Sequence, residues 1–309
     1  MDRLRRTSNT GSIPLHRVAV VRPFAEFLTG IGTPVEQGFR QAGLPYSALE
    51  NIDNYVPSHR FWKFLVNMAR TEGVMDLGFR VGERYGANSP DPRMTELLQQ
   101  SPTVYSGLLK ASDLSNRTIS HCHLGILQPP DLGYARFYHV PSCSADNPAN
   151  EQIGWFGIMA LIGMVRVYAS LQWQPAEIGI TTRQSPCLYI LDHFPRTRIR
   201  LSQPYNYITV ENALLCQPPP DNVTRRVTSR LHEELLAGDF AGTLEQALSS
   251  YVLDNEVSLD LAAALCNMSS STLQRKLRDS GTHYNEVLGL ARFRVASRML
   301  QNPDLKVSV

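Results

Sequence analysis

Apolar residues recur every three or four positions through most of the first hundred residues. The spacing predicts helices over "VAVVRPFAEFLTG" (18–30), "PVEQGFRQAG" (34–43), "PSHRFWKFLVNMARTEG" (57–73) and "VMDLGFRVGERYG" (74–86). In the third, Phe61, Trp62, Leu65, Met68 and Ala69 make the apolar stripe, Ser58 suits the N-cap and Gly73 closes the helix. A further capped helix is predicted in "SPTVYSGLLKASDL" (101–114). The period then changes. "RTISHCHLGIL" (117–127) and "YARFYHV" (134–140) flank the turn-forming "QPPDLG", which predicts a β-hairpin between about 118 and 140. Residues 150–172 are apolar round most of the helical circumference and predict one long helix buried on several sides. Short strands are predicted at "EIGITT" (177–182) and "YNYITV" (205–210).

"CQPPPDN" (216–222) breaks the pattern, because consecutive prolines neither continue a helix nor sit in a central strand. After it the spacing is helical throughout: 223–238, 243–255, and the stretch from 258 onward. The organisation expected is a loose tail over 1–15 and an α+β domain over 16–215, mostly helical with a small antiparallel sheet. A Pro-rich linker over 216–222 and an all-α domain over 223–309 follow.

Within the last part, Leu259, Ala262, Ala263 and Cys266 fall at i, i+3, i+4 and i+7, a short amphipathic helix capped by Ser258 with Asp260 at its positive end. Asn267 tolerates the left-handed conformation that ends one helix and turns into another. Met268 is then expected under the turn, Ser269 at the next N-cap, and Leu273 and Leu277 back against the alanines. Ser270, Ser271, Gln274, Arg275 and Arg278 must point outward. That is a helix-turn-helix pattern, with Gln suited to adenine and Arg to guanine in a major groove, and serine hydroxyls short enough to reach phosphates. A helical hairpin with a merely solvated polar face would carry the same residue types; the turn chemistry and the inward/outward partition favour the DNA reading.

Composition adds a constraint. The 309 residues carry a net charge of only +2, so any nucleic-acid surface is local. Between 269 and 299, Arg275, Lys276, Arg278, Arg292, Arg294 and Arg298 face only Asp279 and Glu286, a local excess of +4. Five scattered cysteines without a C-x-x-C pair suggest neither a disulfide framework nor a zinc site, and a reducing cytoplasm is the expected setting. No window approaches a membrane span, and no phosphate loop, dinucleotide fingerprint or nucleophile elbow occurs, so an enzyme is disfavoured and no cofactor is expected.

Other clusters read weakly. His121 and His123 would share a strand face, the geometry of a two-histidine metal pair, but no further ligand is adjacent and a polar strand face is preferred. Trp155, Met159, Arg166 and Tyr138 are weak candidates for lining a ligand pocket, against the plainer reading of Met and aromatic stripes as core. Arg166, set within an apolar helix, is either exposed on a narrow polar face or a partner for an acidic ligand. Val227, Leu231 and Leu235, spaced by four, would pack on their own domain or extend a dimer surface.

The residues "SLDLAAALCNMSSSTLQRKLRDSGTHYNEVLGLARFRVASRMLQNPDL" (258–305) resemble the AraC/XylS family of bacterial transcription regulators, most specifically through "S-x-x-T-L-Q-R-K-L" at 269–277. "QAGLP" (41–45), "VPSHRFWKFL" (56–65), "DLGFRVGERY" (76–85) and "LLQQSPTVYSGL" (97–108) resemble the arabinose-binding/dimerisation type of N-terminal domain found in one branch. The resemblance implies a homodimer that binds promoter DNA, responds to a small-molecule effector and acts on RNA polymerase as an activator. It also implies base contacts from Ser271, Gln274 and Arg275; Arg278 and Thr282 are expected on phosphates. A second helix-turn-helix is expected after the linker helix. The sequence ends at "PDLKVSV", where that unit would begin, so only the first reading unit is expected here. The alternative is a sensing or dimerisation protein, impaired in DNA binding, that works through partner regulators.

Overall fold

A computed structural model describes residues 11–85, 91–120, 122–129, 132–219, 235–254 and 257–301. Strand β1 (Leu15–Arg17) runs directly into α1 (Val18–Gly30), then α2 (Val35–Ala42). A 3-10 turn (Tyr46–Glu50) leads to β2 (Tyr55–Pro57), α3 (Ser58–Thr71), α4 (Leu77–Tyr85), α5 (Pro92–Gln99) and α6 (Val104–Thr118). Next come β3 (His123–Leu127), β4 (Tyr134–Val140), α7 (Asn150–Arg166), β5 (Glu177–Gly179) and α8 (Leu188–His193). β6 (Arg198–Arg200), β7 (Asn206–Glu211) and α9 (Asn212–Leu215) follow. The last helices are α10 (Phe240–Ser249), α11 (Leu259–Leu265), α12 (Ser270–Asp279) and α13 (Tyr284–Gln301).

Contacts divide the described residues into two units, one drawn from Pro23–Pro34 and Trp62–Glu234, the other from Met1–Arg22, Val35–Phe61 and Leu235–Val309. In the first, five strands pair in the order β3-β4-β7-β5-β6. The predicted hairpin is there, with His123 opposite Val140 and Leu127 opposite Arg136. The sheet is not wholly antiparallel as expected: β5 and β6 run parallel, because α8 lies between them in the chain and returns it to the same end of the sheet.

Helix α7 is the spine of this unit, buried along most of its length, Trp155, Ile158, Ile162 and Val165 included. It stops at Arg166, short of the predicted 172, where Tyr168 and Ala169 both donate to the Val165 carbonyl and tighten the last turn. Its close packing on α4 depends on two glycines one helical turn apart. A Cβ on Gly78 would lie 1.9 Å from the Gln152 carbonyl oxygen, and one on Gly82 would lie 2.5 Å from the Met159 Cβ. These are packing glycines.

In the second unit β1 and β2 pair antiparallel, Leu15 opposite Pro57 and Arg17 opposite Tyr55. Ile13, Leu15 and Tyr55 enter one apolar cluster with Phe240, Leu244, Leu248 and Tyr251 of the helical C-terminal region. Polar ties reinforce it: Ile13 N donates to Thr243 Oγ1 (3.1 Å), Ser250 Oγ to the Tyr55 carbonyl (2.7 Å) and Tyr251 OH to the Gly43 carbonyl (3.0 Å). The sequence reading placed 13–15 in a loose tail and 35–61 wholly with the N-terminal domain. In the structure Leu15 is fully buried and these segments complete the core around α10 to α13, so that core carries a strand pair besides its helices. The predicted helix at 223–238, with Val227 and Leu231, falls mainly on residues outside those described, as does most of the linker beyond 219.

Candidate nucleic-acid interface

Helix α11 is capped by Ser258, whose hydroxyl accepts from Leu261 N at 3.1 Å, and Asp260 sits in its positive first turn. It ends at Cys266. Asn267 then takes φ 54°, the left-handed turn conformation read from the sequence, and Met268 N donates back to the Ala263 carbonyl (3.1 Å). Ser269 caps α12, its hydroxyl accepting from Thr272 N (3.3 Å) and standing 3.1 Å from Ser271 Oγ.

The partition along α12 is sharp. Leu273 and Leu277 are both 0% exposed and share a core with Leu265 and with Ala262 and Ala263, whose small side chains let α12 come close. Ser271, Gln274, Arg275 and Arg278 are exposed on the other face, and Ser270 and Thr282 are half-buried. Met268 is half-buried beneath the turn. A helix fixed on one side by two leucines and a capped turn therefore presents glutamine and arginine donors to solvent.

Two of these residues are tied within the protein. Ser270 donates its hydroxyl to the Asp260 carboxylate. Thr282 donates to Glu286 Oε2 (2.7 Å), which also accepts from His283 N (3.1 Å), and these bonds hold the Glu286 carboxyl below its usual range. This is half of a capping box that starts α13.

The basic patch is also smaller than the sequence count. Arg294 forms a two-pronged ion pair with Glu245 (2.6 and 2.7 Å), and Arg298 donates to Asn54 Oδ1 (2.9 Å). Lys276 places its ammonium 4.5 Å from the Phe240 ring centre. Arg275, Arg278 and Arg292 remain exposed. The residues missed by sequence reasoning are Ile13, Leu15 and Tyr55, which support this face from behind. The alternation of Ile13 and Leu15 with Pro14 and His16 was their only local signal.

The weak ligand-pocket candidates do not converge. Trp155 and Met159 are buried on α7, and Arg166 at its end is half-buried with Nε donating to the Trp173 carbonyl (3.0 Å). Tyr138 lies on the opposite face of the sheet. Ala135, Phe137 and His139 are the buried set of β4, and a Cβ on Gly157 of α7 would lie 2.5 Å from His139 Nδ1. Tyr138, one residue along, must point away from α7. It rests instead on Gly125, with its ring tilted against that of Tyr205 at 5.5 Å between centres.

His121 lies outside the described residues; among those described, no group of three or more His, Cys, Asp or Glu side chains could hold a metal ion. All five cysteines are free thiols. Among the described residues no helix is long and apolar enough to cross a membrane.

No curated protein matches the chain in sequence. Among solved structures, the transcriptional regulator CdpR of Pseudomonas aeruginosa is similar at 15% identity and a TM-score of 0.40, covering 88% of this chain and 86% of that one. The sequence profile of the "Arabinose-binding domain of AraC transcription regulator, N-term" matches residues 32–219, more than half of the chain. On that match the chain belongs to the AraC-type family of transcription regulators that carry this N-terminal domain.

Proposed function

We propose that this regulator binds promoter DNA sequence-specifically by laying α12 in a major groove. The observation that carries the reading is the exposure of Gln274, Arg275 and Arg278 on a helix whose Leu273 and Leu277 are fully buried. Gln274 and Arg275 stand one turn into α12, where side chains reach base edges: a glutamine amide pairs bidentately with adenine and a guanidinium with guanine. Ser269 and Ser271, short and at the helix start, allow close approach of the backbone, and Arg278 and Thr282 take phosphates on the flank. A phosphate oxygen only accepts, so on DNA Thr282 must turn its one hydroxyl proton from Glu286 to the phosphate.

The unit that contains α12 is the reading head, and the unit with the five-stranded sheet is the sensing and dimerisation part. A small-molecule effector, a homodimer in the cytoplasm, and activation through RNA polymerase complete the proposal, on the strength of family membership.

The test is to select bound fragments of the host genome with the purified chain and retest the strongest in a gel shift against scrambled duplex over a salt series. Retention of a specific fragment well above scrambled DNA, with affinity falling as salt rises, supports the reading. Equal binding of both, or none, contradicts it and leaves a sensing or dimerising protein.

A further inference from the structure

The chain enters the core that carries α12 just ahead of β1. Ile13 and Leu15 are buried in the apolar cluster that also holds Phe240, Leu244, Leu273 and Leu277. The backbone is fixed as well: Ile13 N donates to Thr243 Oγ1 (3.1 Å), and Ser58 N donates to the Pro14 carbonyl (2.9 Å). Thr243 Oγ1 donates in turn to the Phe240 carbonyl (3.0 Å), and the Phe240 ring carries the ammonium of Lys276, from α12, at 4.5 Å. Ile13, Thr243, Phe240 and Lys276 therefore make a continuous path of contacts to the flank of the reading helix, beside exposed Arg275. Two residues before Ile13 the chain is at the surface. Gly11 is exposed, with nothing within 4 Å of where its Cβ would stand.

The residues that precede Gly11 lie outside those described and read "MDRLRRTSNT", with Arg3, Arg5 and Arg6 against Asp2. Their attachment point is thus anchored beside α12, and their charge is opposite to that of a duplex. The face itself is short of cations, because Arg294 and Arg298 are tied to Glu245 and Asn54, leaving Arg275, Arg278 and Arg292 exposed. Asp239, the residue before Phe240, is engaged as the cap of α10, accepting from Gly242 N (2.8 Å). An extended chain covers about 3.3–3.6 Å per residue, so Arg3 can reach roughly 26–29 Å from Gly11. Half a turn of duplex is only about 17 Å, and a guanidinium fork takes two phosphate oxygens at once. We infer that residues 1–10 are a DNA-binding arm: with α12 in a major groove, Arg3, Arg5 and Arg6 pair with phosphates flanking that groove. This deepens the DNA reading and rests on it for the partner, but it concerns binding that is independent of sequence, so the two can fail separately.

The experiment measures binding of the full chain, and of Arg3→Gln/Arg5→Gln/Arg6→Gln, to a fluorescent duplex of arbitrary sequence by anisotropy, over about 50–200 mM salt. Each phosphate contact adds about 0.9 to the slope of log K against log salt, so losing three should flatten the slope by about 2.7 and weaken binding at least roughly 10-fold at the low-salt end. The melting temperature should not change, because the anchor at Ile13 and Leu15 is intact. Arg275→Ala should instead relax base preference and alter the slope by about 1 at most. An unchanged slope in the triple variant overturns the inference, as does weaker binding at the same slope or a wild-type chain that binds no duplex at low salt. So does a lowered melting temperature, which would show the three arginines pairing within the fold. If the wild-type chain bound selected and scrambled duplex equally while the slope still flattened in the variant, base reading would fail and the arm would be supported.

Discussion

The Ser270 hydroxyl donates to the carboxylate of Asp260, joining the first turn of α12 to the first turn of α11 across the bend at Asn267. The bond fixes the angle at which α12 leaves the turn, and so the direction in which Gln274 and Arg275 project. Ser270→Ala and Asp260→Ala should each cost about 0.5–1 kcal/mol, since Asp260 is exposed and Ser270 only half-buried. Because they remove the same bond, the double variant should cost little more than either alone, which thermal melts in a double-mutant cycle will show. Additive losses would mean that the two side chains act independently.

Tyr55 is separated from α10 by most of the sequence, yet it is buried in the same cluster as Phe240, Leu244 and Tyr251. Tyr55→Ala leaves a cavity there and should destabilise this core by about 3–5 kcal/mol. The measurable consequence is local: amides of α10 to α13 should lose hydrogen-exchange protection together. Unchanged protection in α11 and α12 would show that the C-terminal helices do not depend on the segment around β2.

His139 is a buried histidine whose pKa burial pushes down to about 4. Asn206 explains how it is held neutral. Its Oδ1 accepts from Thr181 N (2.8 Å), which turns its Nδ2 toward His139 Nδ1 at 3.4 Å, so that ring nitrogen accepts rather than carries a proton. In the unfolded chain the same imidazole titrates near 6.5. Between pH 6.5 and 4 the unfolded state therefore binds the extra proton, and stability must fall as pH falls, by about 3 kcal/mol over the window for this group. Melting temperatures across that range should show the decline, and His139→Asn should flatten it. An unchanged slope in the variant would assign the acid sensitivity to other groups.

Much of this was legible in local sequence because it is locally determined. The helix read over 18–30 is α1, residue for residue, and the reading of Asn267 as the left-handed corner agrees with its φ of 54°. The capped start of α12 and its inward leucines followed from spacing alone. What could not be read depends on partners far along the chain. Strands of three residues such as β1, β2 and β6 are too short to show a period and exist because a neighbour pairs with them. Arg294 and Arg298 looked like part of a basic patch until Glu245 and Asn54 were brought opposite them. Tyr138 and Trp155 looked like neighbours in a pocket until strand alternation set them on opposite sides of the sheet.

The central claim is that Gln274 and Arg275 read bases while Leu273 and Leu277 hold the helix. It is tested most directly by selecting binding sites from randomised duplex DNA with the wild-type chain and with Arg275→Ala, comparing base preference position by position. The variant should keep the wild-type fold and lose about 1–3 kcal/mol of discrimination at one or two adjacent positions, the preference for guanine relaxing there and the rest of the site persisting. A selected site identical in both proteins, or uniformly weaker binding without any change of preference, would contradict the claim.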